Sequence, residues 1–210
     1  EARSAQAAGA DAVIFQAVEA GGHVRGALPA LELLERVRSV LPAGYPLLVA
    51  GGIAEREDVV QALEAGASAA VAGTRFLIST ESRAHPEDRQ RLLGAQDTIL
   101  TELFGASWPA PPRVVANAAT ERWLKGGRRV PALNRMLNSL LAPSARHIPG
   151  SLQARMIRAQ RPGSRLLTPA GPTDDGPETL LDAGPLYAGE TVARIADVRP
   201  AADLVRALTP

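Results

Sequence analysis

Cysteine is missing from this 210-residue sequence, which excludes disulfide bonds, thiolate catalysis and metal sites built on cysteine. A surplus of positive charge is missing as well. Because 23 Lys and Arg stand against 22 Asp and Glu, the net charge is +1, whereas nucleic-acid binding needs clustered basic residues. No uninterrupted apolar run approaches the roughly 20 residues that span a membrane. We therefore expect neither a nucleic acid nor a membrane as a partner.

Several short chemical signatures are also absent. The three histidines lie far apart in the sequence, so no pair has the close spacing of a zinc site, and we predict no metal. No Gly-x-Ser-x-Gly motif marks a hydrolase nucleophile. Residues 1–20 lack the basic and then apolar layout of a signal peptide, so a cytoplasmic location is expected.

Aromatic residues make up only 3% of the chain. A core must therefore be built from Ala, Val, Leu and Ile, and the small branched residues suit parallel sheets covered by helices. The composition favours an α/β fold.

The first half of the sequence alternates between two kinds of pattern. Apolar runs flanked by Gly predict buried strands at residues 11–16, 46–50 and 68–72. Amphipathic patterns predict helices at residues 30–40 and 55–64. This alternation is typical of βα units on a parallel sheet.

The second half is broken by proline. Only four of the 17 prolines precede residue 105, so we predict a boundary near Gly105. Residues 1–105 would form the α/β part, and residues 106–210 a helical and irregular extension packed against it. No central strand is expected in this extension, and a Pro- and Gly-rich stretch at 161–176 predicts a long loop. Helical patterns fall at about residues 113–125, 131–141, 151–160 and 201–208.

Two glycine-containing turns follow predicted strands directly. Gly51 and Gly52 come after the second strand, and Gly73 and Thr74 after the third. Carboxyl ends of parallel strands are where such folds collect ligands, and glycines there let backbone N–H groups approach an anion. The pair predicts a phosphate cradle, although a tight turn and a plain strand end would give the same pattern.

One histidine follows the first predicted strand. His23 ends the run Gln16-Ala-Val-Glu-Ala-Gly-Gly-His, and a reference pKa of about 6.5 lets histidine exchange protons near neutrality. It is therefore a candidate general base. A solvent-exposed loop histidine is the alternative interpretation.

Four segments together resemble the nitronate monooxygenase family, also called 2-nitropropane dioxygenases, which includes flavin-dependent enoyl reductases. They are GADAVIFQAVEAGGHVRG (residues 9–26), PLLVAGGI (46–53), GASAAVAGTRFLISTES (66–82) and PLYAGETVARIADVRPAADLVRAL (185–208). The resemblance implies a TIM (β/α)₈ barrel that binds FMN and carries a helical domain. The chain aligns with the last three βα units, so the expectation is a partial barrel with a helical C-terminal extension, truncated at its N-terminus.

The resemblance also implies roles for single residues. His23 matches the family's catalytic histidine. Tyr187 would return towards the substrate mouth. Val71 and Ala72 stand where the family often has Gln and Met, so backbone contacts carry over and side-chain contacts do not. The positions that match the family's FMN contacts, including the phosphate turns after its seventh and eighth strands, are Gln16, Gly21, Gly52, Val71, Ala72, Gly73 and Thr74.

The implied activity is an FMN-dependent oxidation. An alkyl nitronate or nitroalkane would react with O₂ to give a carbonyl compound and nitrite. Alternatives that the sequence leaves open are an NAD(P)H-dependent flavin reductase for enoyl thioesters or quinones, a non-catalytic fragment, and a barrel fragment that binds a sugar phosphate. The oligomeric state is not indicated.

Overall fold

The computed structural model describes residues 1–104, 110–124, 130–145 and 147–210. Its first half contains strands β1 (Val13–Gln16), β2 (Gly22–His23), β3 (Leu47–Ala50) and β4 (Ala69–Val71). Helices α1 (Ala2–Ala7), α2 (Ala30–Arg38), α3 (Arg56–Glu64) and α4 (Thr74–Leu77) alternate with them. The three predicted strands and the two predicted helices are confirmed, and the fold is mixed α/β.

Strands β1, β3 and β4 form a parallel sheet in that order. Val13 pairs with Leu47, and Ala50 pairs with Val71, so the three strands end level with one another. Right-handed crossovers through helices are the usual way to connect parallel strands. Because the strands are parallel and end level, the two glycine-containing turns that follow β3 and β4 lie next to each other at the carboxyl end of the sheet.

One face of this sheet carries the main core. Phe15 and Val49 point towards α2, where they pack with Leu34 and Val37. The opposite face is open at β1, because Ile14, the residue before Phe15, is 62% exposed. Side chains alternate along a strand, so the face that bears Ile14 also bears the polar Gln16.

The rest of the chain, after α4, contains more strand than the sequence predicts. Its strands are β5 (Ile99–Leu100), β6 (Pro112–Val115) and β7 (Leu186–Tyr187). Its helices are α5 (Pro86–Leu93), α6 (Ala118–Leu124), α7 (Ala132–Ala145), α8 (Gly150–Ala159), α9 (Leu180–Ala183), a 3₁₀ helix (Glu190–Arg194) and α10 (Ala201–Leu208). Helices near 131–141, 151–160 and 201–208 are confirmed, as is the loop at 161–176.

Two expectations for residues 106–210 were wrong. Residues 112–115 form β6 instead of the start of a helix, and the helix begins only at Ala118. The β-branched Val114 and Val115 favour a strand. Asn117 then starts the helix, since its Oδ1 accepts the backbone N–H of Thr120.

The second error concerns the absence of a central strand. β6 pairs antiparallel with β2, β5 and β7. It is buried along its whole length, so it is the centre of a small second sheet. Because β2 precedes residue 105 and β6 follows it, this sheet joins the two halves of the chain. The division into 1–105 and 106–210 stays a prediction, and its boundary at Gly105 lies outside the described residues.

Two features are absent from the described ranges. None of their helices has the length and apolar character to cross a bilayer. No group of three or more His, Asp or Glu side chains within them is arranged to hold a metal ion.

Candidate functional site

A cavity of about 310 Å³ lies where the strands of the parallel sheet end. This volume is at the lower end of the range for small-molecule sites, which is about 300–1,000 Å³. Six of the seven residues predicted to bind a cofactor line it: Gln16, Gly21, Gly52, Val71, Gly73 and Thr74. The other lining residues are Glu19, Ala20, Gly22, Ala50, Gly51, Ile53, Leu77, Tyr187, Gly189 and Thr191.

The turn after β3 has a conformation that only glycine adopts readily. Gly51 and Gly52 have φ angles of +117° and +78°. A Cβ on Gly51 would lie 3.0 Å from the backbone N of Ala20, whereas a Cβ on Gly52 would meet nothing within 4 Å. Gly51 therefore allows two loops to touch, and Gly52 presents bare backbone to the cavity.

The turn after β4 also presents bare backbone. A Cβ on Gly73 would meet nothing within 4 Å. The next residue, Thr74, is 8% exposed, and its Oγ1 accepts the backbone N–H of Gly189 at 2.8 Å. A hydroxyl that accepts one hydrogen bond still has its own hydrogen to donate. The two predicted phosphate turns thus face the same cavity.

Ala72 differs from the other predicted residues. Its side chain packs against the main core, on the side of the sheet away from the cavity. Val71 lines the cavity, and successive side chains alternate across a strand. Only the backbone of Ala72 is therefore placed to contribute to a site there.

The loop after β1 is fixed on both sides. The Oε1 of Gln16 accepts the backbone N–H of Arg25 at 3.3 Å. Gly21 packs directly against the C-terminal tail, because a Cβ there would lie 2.6 Å from the carbonyl carbon of Ala188 and from the N of Gly189. These contacts fix the loop that follows β1 in its place against the C-terminal tail.

His23 is half-buried in strand β2 and is not an exposed loop residue. Its ring centroid lies 5.7 Å from that of Tyr187, with the two planes at 50°. Burial lowers the pKa of His23 below 6.5, so the neutral imidazole dominates at neutral pH and can accept a proton. His23 is not among the lining residues of the cavity, whereas Tyr187 is.

Sequence reasoning missed two charged residues that shape this loop. Glu19 lines the cavity; its Oε1 accepts the backbone N–H of Ala30, and its buried Oε2 has no hydrogen-bond partner among the described residues. Arg113 is 6% exposed and donates to the carbonyl of Val18 at 2.7 Å, while forming an ion pair with Glu190 at 2.9 Å. Glu19 adjoins a glycine-rich turn, which was a usable signal. Nothing local to Arg113 reveals its partners.

The tail also supports the turn at Gly52. Arg194 donates to the carbonyl of Gly52 at 3.2 Å and to the carboxylate of Asp58 at 2.9 Å. Asp58 in turn accepts the backbone N–H groups of Ala54 and Glu55. Burial alone would raise the pKa of Asp58, but these hydrogen bonds and the charge of Arg194 outweigh it and hold the pKa below 3.8. The carboxylate is therefore charged at neutral pH.

Known proteins resemble this chain in sequence. The family model described as nitronate monooxygenase matches residues 1–210. A nitronate monooxygenase from Pseudomonas aeruginosa is 43% identical over 110 residues, which are 48% of this chain and 31% of that protein. The matched segment thus spans about a third of this relative.

Two solved structures resemble the fold. FabK from Thermotoga maritima has a TM-score of 0.70 at 26% identity, covering 99% of this chain and 56% of that one. A nitroalkane oxidase from Streptomyces ansochromogenes has a TM-score of 0.67 at 30% identity, covering 99% and 53%. The chain therefore spans little more than half of either structure.

Proposed function

Because the chain belongs to the nitronate monooxygenase family, whose members are flavin oxidoreductases, we propose that it binds FMN and oxidises alkyl nitronates with O₂. The products are a carbonyl compound and nitrite. The observation that carries this proposal is the shared cavity: two bare glycine turns, from neighbouring strands, face one space together with Gln16.

The proposed architecture is the C-terminal part of a barrel. The three parallel βα units of residues 1–105 are its last three, and residues 106–210 are the extension. The open face at Ile14 supports this, since the inside of a closed barrel is filled by side chains from all of its strands. The likeness to two solved structures over 99% of the chain supports it as well.

The residues present fit the phosphate end of FMN. Backbone at Gly52 and Gly73 approaches the cavity without a Cβ, and Thr74 has a hydroxyl hydrogen to donate. Such donors match an anion. Gln16 and Gly21 line the same cavity and are assigned to the ring system, with Val71 and the backbone of Ala72 beside them.

Bound FMN supplies the electron transfer to O₂. The protein supplies the proton transfer and the orientation of the substrate. His23, held neutral by burial, takes the α proton of a nitroalkane or orients a nitronate that has already lost it. Tyr187 lines the cavity with its ring next to that of His23, so it would lie beside the substrate.

A glycine pair tests the cofactor site. In Gly73→Ala the new methyl meets no protein atom within 4 Å, so folding is unaffected while the methyl takes up space in the phosphate cradle. We expect the Kd for FMN, measured by quenching of flavin fluorescence, to rise at least about 10-fold, or roughly 1.4 kcal/mol. Gly150→Ala is the matched control, because a Cβ there is equally unhindered but lies at the start of α8.

Turnover is measured separately, by O₂ consumption and nitrite release with ethyl nitronate. Equal FMN affinity in both glycine variants would contradict the phosphate cradle. Bleaching of bound flavin by NADPH under anaerobic conditions, without nitrite release from nitronates, would identify a flavin reductase instead.

A further inference from the structure

Tyr187 connects two features that are otherwise separate. It lines the cavity, and its ring contacts the imidazole of His23, which does not line it. Tyr187 therefore places an aromatic ring against both the cavity and the imidazole.

The contact follows from strand pairing. In the second sheet, His23 of β2 lies opposite Pro112, and Tyr187 of β7 lies opposite Val114. Pro112 and Val114 are two positions apart on β6, so side chains at these levels project from the same face. The two rings are brought together by β6, which comes from the other half of the chain.

The tyrosine is held firmly in place. Its hydroxyl donates to the carbonyl of Pro169 at 2.7 Å, and a Cβ on Gly171 would lie 3.5 Å from its ring. Burial raises the pKa of Tyr187 above its usual value, so the hydroxyl keeps its proton and remains a donor. Tyr187 is therefore suited to positioning and not to acid–base chemistry.

We infer that Tyr187 positions His23 and forms the wall that limits the size of the substrate. The limit on substrate size rests on the proposed function. The contact between the rings of Tyr187 and His23 does not depend on it. The ring packs beside the imidazole and also lines the cavity. Removing it would both expose His23 and enlarge the cavity towards it.

The charged groups on the neighbouring elements are paired with other residues and are not the cause of the lowered pKa of His23. Arg113 on β6 is paired with Glu190 beyond β7, and Glu19 in the preceding loop caps α2. Burial is the cause of the lowered pKa of His23. The ring of Tyr187 is part of that burial.

Two substitutions of Tyr187 separate the ring from the hydroxyl. Tyr187→Phe keeps the ring and loses the hydrogen bond to Pro169; Tyr187→Ala removes both. NMR titration of the imidazole protons in the 210-residue chain gives the pKa of His23, whose signals are assigned by their loss in His23→Asn. We expect the pKa to stay low in Tyr187→Phe and to rise towards 6.5 in Tyr187→Ala.

Substrate size is the second readout. The ratio of kcat/KM for hexyl nitronate to that for ethyl nitronate should rise at least about 10-fold in Tyr187→Ala and stay unchanged in Tyr187→Phe, since added methylenes in a pocket are worth about 10-fold or more. If Tyr187→Ala does not fold, Tyr187→Leu replaces it, with the same expectations at smaller size.

The outcomes are distinct. An unchanged pKa of His23 in Tyr187→Ala or Tyr187→Leu overturns the positioning role, whatever the activity. An unchanged size ratio overturns the wall. A wild-type chain that oxidises no nitronate contradicts the proposed function, and the pKa measurement then still decides whether Tyr187 positions His23.

Discussion

The absence of a Cβ at single glycines determines how closely the loops of the site approach one another. Gly21 lies against Ala188 and Gly189 where a single Cβ would be 2.6 Å from backbone, and Gly51 lies similarly close to Ala20. Gly52 and Gly73 have no such neighbours. The glycines therefore divide into two kinds, those that loop packing requires and those that leave a surface open to a ligand.

His23 is the residue on which the proposed proton transfer depends. In His23→Asn, kcat/KM for a neutral nitroalkane should fall about 10²- to 10⁴-fold, while a preformed nitronate should lose far less because its proton is already gone. Wild-type activity on the nitroalkane should decline only as the pH falls below 6.5, because burial lowers the pKa of His23.

The matched control for His23 is His85→Asn. His85 caps α5 through its Nδ1, and asparagine can also cap a helix. Equal losses on nitroalkane and nitronate, or an effect of His85→Asn as large as that of His23→Asn, would contradict the base assignment.

Asp88 gives a prediction about stability. It is 3% exposed, and burial raises its pKa to about 7 although Arg91 acts in the opposite direction. Because this pKa lies above the unfolded value of 3.8, the folded state holds the extra proton, and stability falls as the pH rises through this window, by at most about 4 kcal/mol.

Asp88→Asn removes this titration. Urea unfolding at about pH 5 and about pH 8 should show a loss of stability in the wild type that is much smaller in the variant. The same loss in both proteins would mean that Asp88 is not the group responsible.

Secondary-structure elements show where sequence patterns suffice. The strand at Val13–Gln16 and the helix at Arg56–Glu64 were predictable, because each carries its own apolar pattern and is flanked by glycine or by a capping residue. The strand at Pro112–Val115 was not. Its partners lie about 15 to 90 residues away in sequence, in β2, β5 and β7, and no local pattern reports them. The same reasoning explains why the two glycine turns could be predicted and the roles of Arg113 and Arg194 could not.

Helix α3 supports the phosphate turn through its first residues. Asp58 accepts two backbone N–H groups and pairs with Arg194, which holds the carbonyl of Gly52. Asp58→Asn should lower the free energy of unfolding by about 1–2 kcal/mol, as for loss of a helix cap, and should weaken FMN binding. Glu57→Gln, at an exposed neighbouring position, is the control.

The pH dependence checks the cause. The pKa of Asp58 is held below 3.8, so its contribution is present at neutral pH and is lost as the pH falls through its folded value. Urea unfolding should therefore show that the gap between wild type and Asp58→Asn closes in acid. A gap that persists there would point to a steric effect of asparagine.

At the scale of the whole molecule, the parallel sheet and the antiparallel sheet contribute different parts of the candidate site. The parallel sheet brings its strand ends to one edge and forms the floor of the cavity, and the small antiparallel sheet places His23 and Tyr187 beside it. Val114 of β6 is completely buried in a cluster with Leu103 and Phe104, and β6 also pairs with β2 of the first half. The candidate site thus depends on contacts between the two halves of the chain.

The open face of the parallel sheet predicts how the 210-residue chain behaves in solution. Within the described residues, β1 pairs only with β3, so its other edge has unpaired backbone groups, and Ile14 beside that edge is 62% exposed. Exposed edges with apolar side chains associate with other chains. We expect concentration-dependent self-association in sedimentation velocity. The association should be reduced in Ile14→Lys, with a change in the free energy of unfolding within about 0.5 kcal/mol.

Val205→Lys is the control. It lies at a 53% exposed position of α10, so it removes a similar apolar group away from the sheet and should leave association unchanged. Equal effects of the two lysine substitutions would mean that added charge, and not the edge of β1, controls association.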